Sequence, residues 1–216
     1  MAHRDRFPAW FDAARFRQAF VIEPAGLPLA ETFYSAVPLP PGEGLGVDVT
    51  VECTDDRGDL RVQLWRRIET VGGVLVATHA VFAVHDDPSH PSIRFQRQGI
   101  ARRSFRRALA LYDDLGVRRV VLAATNAGRY VWPKFGFRLQ AGARTEFVSV
   151  VRAEYRRVFG QELTDAIPDS GRRLVELRQG HYPLGMVALG ARSAWNMQLD
   201  LTDSRSRSIL DEELQR

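Results

Sequence analysis

Between Val74 and Ala124 the chain carries two apolar runs separated by an amphipathic stretch that opens on Gly99 and closes on Gly116. That order constrains the fold more than any other feature. Val74–His85 is long and apolar, suited to the centre of a sheet, and Val117–Ala124 is the nearly continuous apolar run that a buried parallel strand requires. Within Ile100–Leu115, Ala101, Phe105, Ala108, Tyr112 and Leu115 recur at helical spacing, while Arg102, Arg103, Arg106 and Arg107 fall largely off that stripe. Gly116 is a helix stop. Strand, helix and strand in this order predict a right-handed βαβ crossover. The turn Gln96-Arg97-Gln98-Gly99-Ile100-Ala101-Arg102 opens the helix. A helix start offers backbone N–H groups without partners and the positive end of the macrodipole, and Gly99 has no Cβ to hold a ligand off. The turn therefore predicts a phosphorylated cofactor held by main chain.

The flanking sequence extends an α/β pattern. Residues 8–20 predict a short amphipathic helix, and residues 24–46, rich in Pro and Gly, a connecting loop. Gly46–Cys53 and Leu60–Ile68 read as strands of a hairpin around Asp55-Asp56-Arg57-Gly58-Asp59, with Gly72-Gly73 as the next turn. Further helices are predicted over Asn126–Phe135, Arg144–Phe159 and Arg172–Leu177, a late strand over Ala194–Leu201, and a terminal helix in the polar tail.

The chain has 216 residues, of which 45% are hydrophobic, enough for one α/β domain with a sizeable core. The net charge is +4 and the basic excess is nearly all arginine, Lys134 being the sole lysine. This favours an anionic partner without implying nucleic acid. Cys53 is the only cysteine, so no internal disulfide forms and a reducing, cytoplasmic setting is expected. No apolar run reaches membrane-spanning length and no secretory signal is read at the N-terminus.

Two motifs together resemble the GNAT superfamily of acyl-CoA-dependent N-acyltransferases. Gln96, Gly99 and Ala101 fill the family's Gln/Arg-x-x-Gly-x-Gly/Ala cofactor motif ahead of a basic helix. Asn126, followed by Trp132-Pro133-Lys134-Phe135-Gly136-Phe137, is similar to its second motif of strand, Asn, short helix and Tyr-x-Lys-x-Gly-Phe. The motifs cover about residues 74–139. Trp132 stands where many members have the tyrosine that protonates the leaving thiolate, and about fifty residues separate Phe137 from the last strand.

The resemblance implies a single GNAT-like domain over 1–216: a mixed, centrally splayed sheet flanked by helices, with a core at 46–139, a helical insertion at 140–193, and the last strand and tail at 194–216. It implies acetyl-CoA or another acyl-CoA as donor, an amine acceptor attacking directly, no metal and no membrane, with a homodimer as one arrangement. The pantetheine arm would pair with main chain near Ala83 and Val84, and the pyrophosphate would sit on the amides of about Gln98 to Arg102, within the cradle Gln96–Arg102. Asn126 would bond the pantetheine region or cap its helix.

For the chemistry, His79 and His85 are the candidate general bases, sharing one face of an ideal strand with Val81 and Ala83. Tyr130 is the tyrosine nearest the expected acid position. Two other readings stand beside the enzyme: a CoA-binding or interaction module without catalysis, and, ranked last, a protein acting on charged tRNA, supported only by the basic balance.

Overall fold

The computed structural model describes residues 7–21, 29–40, 42–86 and 99–215, so of the cofactor turn Gln96, Arg97 and Gln98 lie outside the described residues. The chain is α/β and divides into two compact units, Met1–Arg118 and Arg119–Arg216.

The first unit contains α1 (Ala13–Phe20), β1 (Glu31–Pro38), β2 (Gly46–Thr54), β3 (Leu60–Val71), β4 (Val74–Val84) and α2 (Ile100–Leu115). The four strands pair antiparallel in chain order. In β2 the alternation is regular: Val47, Val49, Val51 and Cys53 are fully buried, and Asp48, Thr50 and Glu52 between them are not. The hairpin turn is built as its composition predicts. The Asp55 carboxylate accepts the Arg57 and Asp59 amides at 3.0 Å each, and Arg61, itself buried, bonds Asp55 at 2.6 Å. Asp12 caps α1 by accepting the amides of Ala14 and Arg15. Phe16 and Phe20 of α1 meet each other, and Phe20 meets Tyr112 of α2.

The segment 24–46, expected as loop, holds β1. Pro24, Pro28, Pro38, Pro40 and Pro41 give the segment its loop character, but Pro38 terminates a strand that pairs through one edge only with β2, where a missing N–H is tolerated.

The second unit begins along β5 (Val117–Thr125) and continues through α3 (Gly128–Val131), a 3-10 turn (Trp132–Phe135), β6 (Arg138–Leu139), α4 (Ala141–Phe159), α5 (Gly171–Glu176), α6 (Leu184–Gly190), β7 (Ala194–Asp200) and α7 (Ser204–Gln215). The late strand β7 lies antiparallel between β5 and β6. Trp195 of β7 is buried, donates to the Leu189 carbonyl at 2.8 Å and packs edge-on against Phe147 of α4. The helix α6 has no counterpart in the sequence-based expectations: Leu184-Gly185-Met186-Val187-Ala188-Leu189-Gly190 has two glycines and no polar face to mark it. Gly185 lets it approach the end of α5 closely, as a side chain there would not.

Candidate functional site

The helix α2 has the bounds its glycines predict. Gly99 is left-handed at φ 69°, ψ 14° and its carbonyl accepts the Arg103 amide at 2.9 Å, while Gly116 is left-handed at the other end. Among the described residues no side chain caps the start, and the first turn, Ile100, Ala101 and Arg102, holds no acidic residue. Within the helix itself, the opening amides and the positive end of the dipole are accompanied by Arg102 and Arg103 and by no carboxylate in the first turn.

The strand β4 departs from the ideal geometry. Trp65 of β3 pairs with Val81, but Arg66 pairs with His79, so Ala80 is an extra, exposed residue in a β-bulge. The bulge reverses the expected parity. Leu64 and Arg66 lie on one face of β3 and oppose Phe82 and His79, so His79 shares its face with Phe82 and Val84 rather than with Val81 and Ala83.

That correction decides the surroundings of His79. It is 4% exposed, its ring meets Phe105 edge-on at 5.4 Å, and its Nε2 is 2.9 Å from the Tyr112 hydroxyl. Burial, assisted by the positive charge of Arg66, holds its pKa well below the ordinary histidine value. His79 sits under α2 with its charged form disfavoured, so the general-base role expected for it would be exercised from a buried position. His85 is exposed past the end of β4, its amide donating to the Arg61 carbonyl at 2.8 Å. Ala83 and Val84 lie in β4 opposite Gln63 and Val62.

A pH dependence follows from His79. The unfolded chain takes up a proton below about pH 6.5 and the native state does not. Stability is therefore at its plateau above that pH and falls as pH decreases below it, by at most about 1.4 kcal/mol per pH unit. Denaturant titrations at pH 7.5 and 5.5 should show this loss in the wild type and a smaller loss in His79→Gln.

In the second unit, Asn126 ends β5 in the left-handed region at φ 47° and is not the cap of α3. Its carbonyl accepts from Arg129 Nε at 3.0 Å. Arg129 also bonds the Arg192 carbonyl and covers the Tyr130 ring at 5.7 Å. Tyr130 is half-buried and its hydroxyl lies against Gly190, where an added Cβ would be 3.0 Å away. Trp132 packs against Phe135 and, at 5.4 Å, against Phe137. Among the described residues no His, Cys, Asp and Glu cluster could hold a metal, and no helix is long and apolar enough to cross a membrane.

Two residues beside His79 are absent from the sequence-based candidates: Arg66 and Tyr112. Arg66 had a visible signal, because strand alternation places it between Leu64 and Ile68 on the core face. Tyr112 reads as an ordinary member of the apolar stripe of α2.

No protein-family model and no curated protein matches the chain. Among solved structures it is similar to a GNAT family acetyltransferase from Elizabethkingia anophelis with acetyl-CoA bound, at 9% identity and a TM-score of 0.34, over 78% of this chain and 98% of that one. It is also similar to nourseothricin acetyltransferase, at 16% identity and a TM-score of 0.30, over 60% of this chain and 81% of that one.

Proposed function

We propose that the protein is an acyl-CoA-dependent N-acyltransferase that uses acetyl-CoA and transfers the acetyl group to an amine by direct attack. The observation that carries this reading is the start of α2: a left-handed Gly99, no side-chain cap among the described residues and no acidic first turn, in a segment whose sequence resembles an acyl-CoA pyrophosphate motif. Anionic oxygens are stabilised there by backbone N–H groups and the dipole, and Arg102 adds positive charge to the same turn. The bulged β4, with Ala83 and Val84 beyond Ala80, supplies the main chain proposed for the pantetheine arm.

In the reaction, the neutral amine nitrogen attacks the thioester carbonyl, the C–N bond forms as the oxyanion develops, and the C–S bond then breaks. The thiolate leaves as it takes a proton, a role proposed for Tyr130 as the tyrosine nearest the position that Trp132 fills, and the amine loses its own proton to water or buffer. Asn126 stays a proposed contact on the same basis. The burial of His79 favours a second reading, a CoA-binding module without turnover. Calorimetric titration with acetyl-CoA tests what the two share. Saturable binding is expected, and absence of binding at millimolar acetyl-CoA contradicts both.

A further inference from the structure

Among the described residues, Arg66 is a charge buried without a carboxylate partner. It is 3% exposed, its Nη1 donates to the Trp65 carbonyl at 3.0 Å and the Val81 carbonyl at 2.5 Å, and its Nε–H has no acceptor among the described residues. The Phe82 ring lies 5.7 Å from the guanidinium carbon and the Tyr112 hydroxyl lies beside it. Burial pushes its pKa down to about 10, opposed by Tyr112. An unpaired buried cation costs several kcal/mol and a well-packed apolar residue is a cheaper way to fill such a space, so stability does not explain this side chain.

Its contacts do. Trp65 and Val81 are the cross-strand pair on one side of the Ala80 bulge, and Arg66 and His79 are the pair on the other. One guanidinium nitrogen clamps the carbonyls of the first pair. An arginine only donates, so the Tyr112 oxygen faces it as an acceptor and the Tyr112 proton goes to His79 Nε2. Tyr112 belongs to α2, so the cluster joins the bulge in β4 to the helix whose start binds phosphate in the proposed function. We propose that Arg66 is a positioning residue for the acyl-CoA donor: with Tyr112 and His79 it fixes the bulged main chain of β4 against α2, so that the pantetheine-binding strand and the phosphate-binding helix are held in register. This rests on the donor reading above. The cluster touches no substrate and acts only through the main chain it holds.

Titrate wild type, Arg66→Met, Arg66→Lys and Tyr112→Phe with acetyl-CoA, and record their melting curves. Arg66→Met removes the buried charge and keeps an apolar side chain, so it should melt at or above the wild-type temperature. It should bind acetyl-CoA about tenfold or more weakly, equivalent to about 1.4 kcal/mol, the order of one hydrogen bond from a charged group. Arg66→Lys should recover part of that loss, because an ammonium can still donate to the Val81 carbonyl. Weaker binding at an unchanged melting temperature is a result that a merely structural side chain does not give. If Arg66→Met binds as the wild type does, the positioning role is overturned and the donor reading stands. If Arg66→Met does not fold, Tyr112→Phe decides: weaker binding supports the role and wild-type binding overturns it. If the wild type does not bind acetyl-CoA, the donor reading and this role fall together.

Discussion

Replacing Gly99 with glutamate should abolish acetyl-CoA binding. The residue sits at φ 69°, a conformation that side chains other than Asn and Asp adopt only with strain, and an ideal Cβ there would lie 3.4 Å from Arg103 Nη1. The larger effect is electrostatic. A carboxylate at the opening of α2 would occupy the positive end of the helix and repel the phosphates placed there by the proposed function. The loss should be about a hundredfold or more, equivalent to about 2.7 kcal/mol. Gly99→Asn separates the two causes, since Asn tolerates the left-handed region and carries no charge. It should bind acetyl-CoA within about tenfold of the wild type, a limit of about 1.4 kcal/mol. Comparable loss in both variants would point to backbone strain instead of charge.

A large stability effect is expected in the second unit, at Gly185. A Cβ built there lies 1.7 Å from the Leu174 carbonyl oxygen and 3.0 Å from the Leu177 Cβ. The first is a backbone atom and cannot rotate away, so α6 must lift from the end of α5. The Gly185 amide donates to the Leu177 carbonyl at 2.9 Å, and that bond would go with it. Gly185→Val should cost more than about 4 kcal/mol, the scale of severe overpacking in a core. Gly142, within α4, is the control: nothing lies within 4 Å of its Cβ position and no positive φ opposes a side chain. Gly142→Ala should stabilise by up to about 1 kcal/mol through the unfolded chain. Denaturant unfolding of the pair of variants checks both signs. Equal stability of Gly185→Val and wild type would mean that α5 and α6 do not pack as described.

Where the signal was local, the sequence was legible. Gly99 and Gly116 bracket α2 because left-handed residues are needed at those positions, and Asp55 to Asp59 mark the β2–β3 turn because Asp55 folds back on its own amides. The edge strand β1 was hidden because prolines mark loops, and the observation that rescues Pro38 is its unpaired edge, which is a property of the sheet. The bulge at Ala80 was invisible for a deeper reason. Nothing in Thr78-His79-Ala80-Val81 distinguishes it from a regular strand; the register is set by β3, and with it the face on which His79 lies. A single unseen residue of slip moves His79 from the face it was expected to share with Val81 and Ala83 to the face of Phe82 and Val84, where it is buried. In the site itself, Gly99, Ile100, Ala101 and Arg102 were legible as a helix opening, whereas the Arg66–Tyr112–His79 cluster spans three elements and could be assembled only in the fold.

Release of free thiol from acetyl-CoA, followed with a thiol reagent across a panel of primary amines, reports acetyl transfer itself, with wild type and Gly99→Glu measured side by side. Amine-dependent thiol release is expected from the wild type and none above background from Gly99→Glu. Equal release by the two proteins, or none by a wild type that binds acetyl-CoA, would contradict this expectation: the first would place the donor elsewhere than the start of α2, and the second would leave a CoA-binding module without transfer.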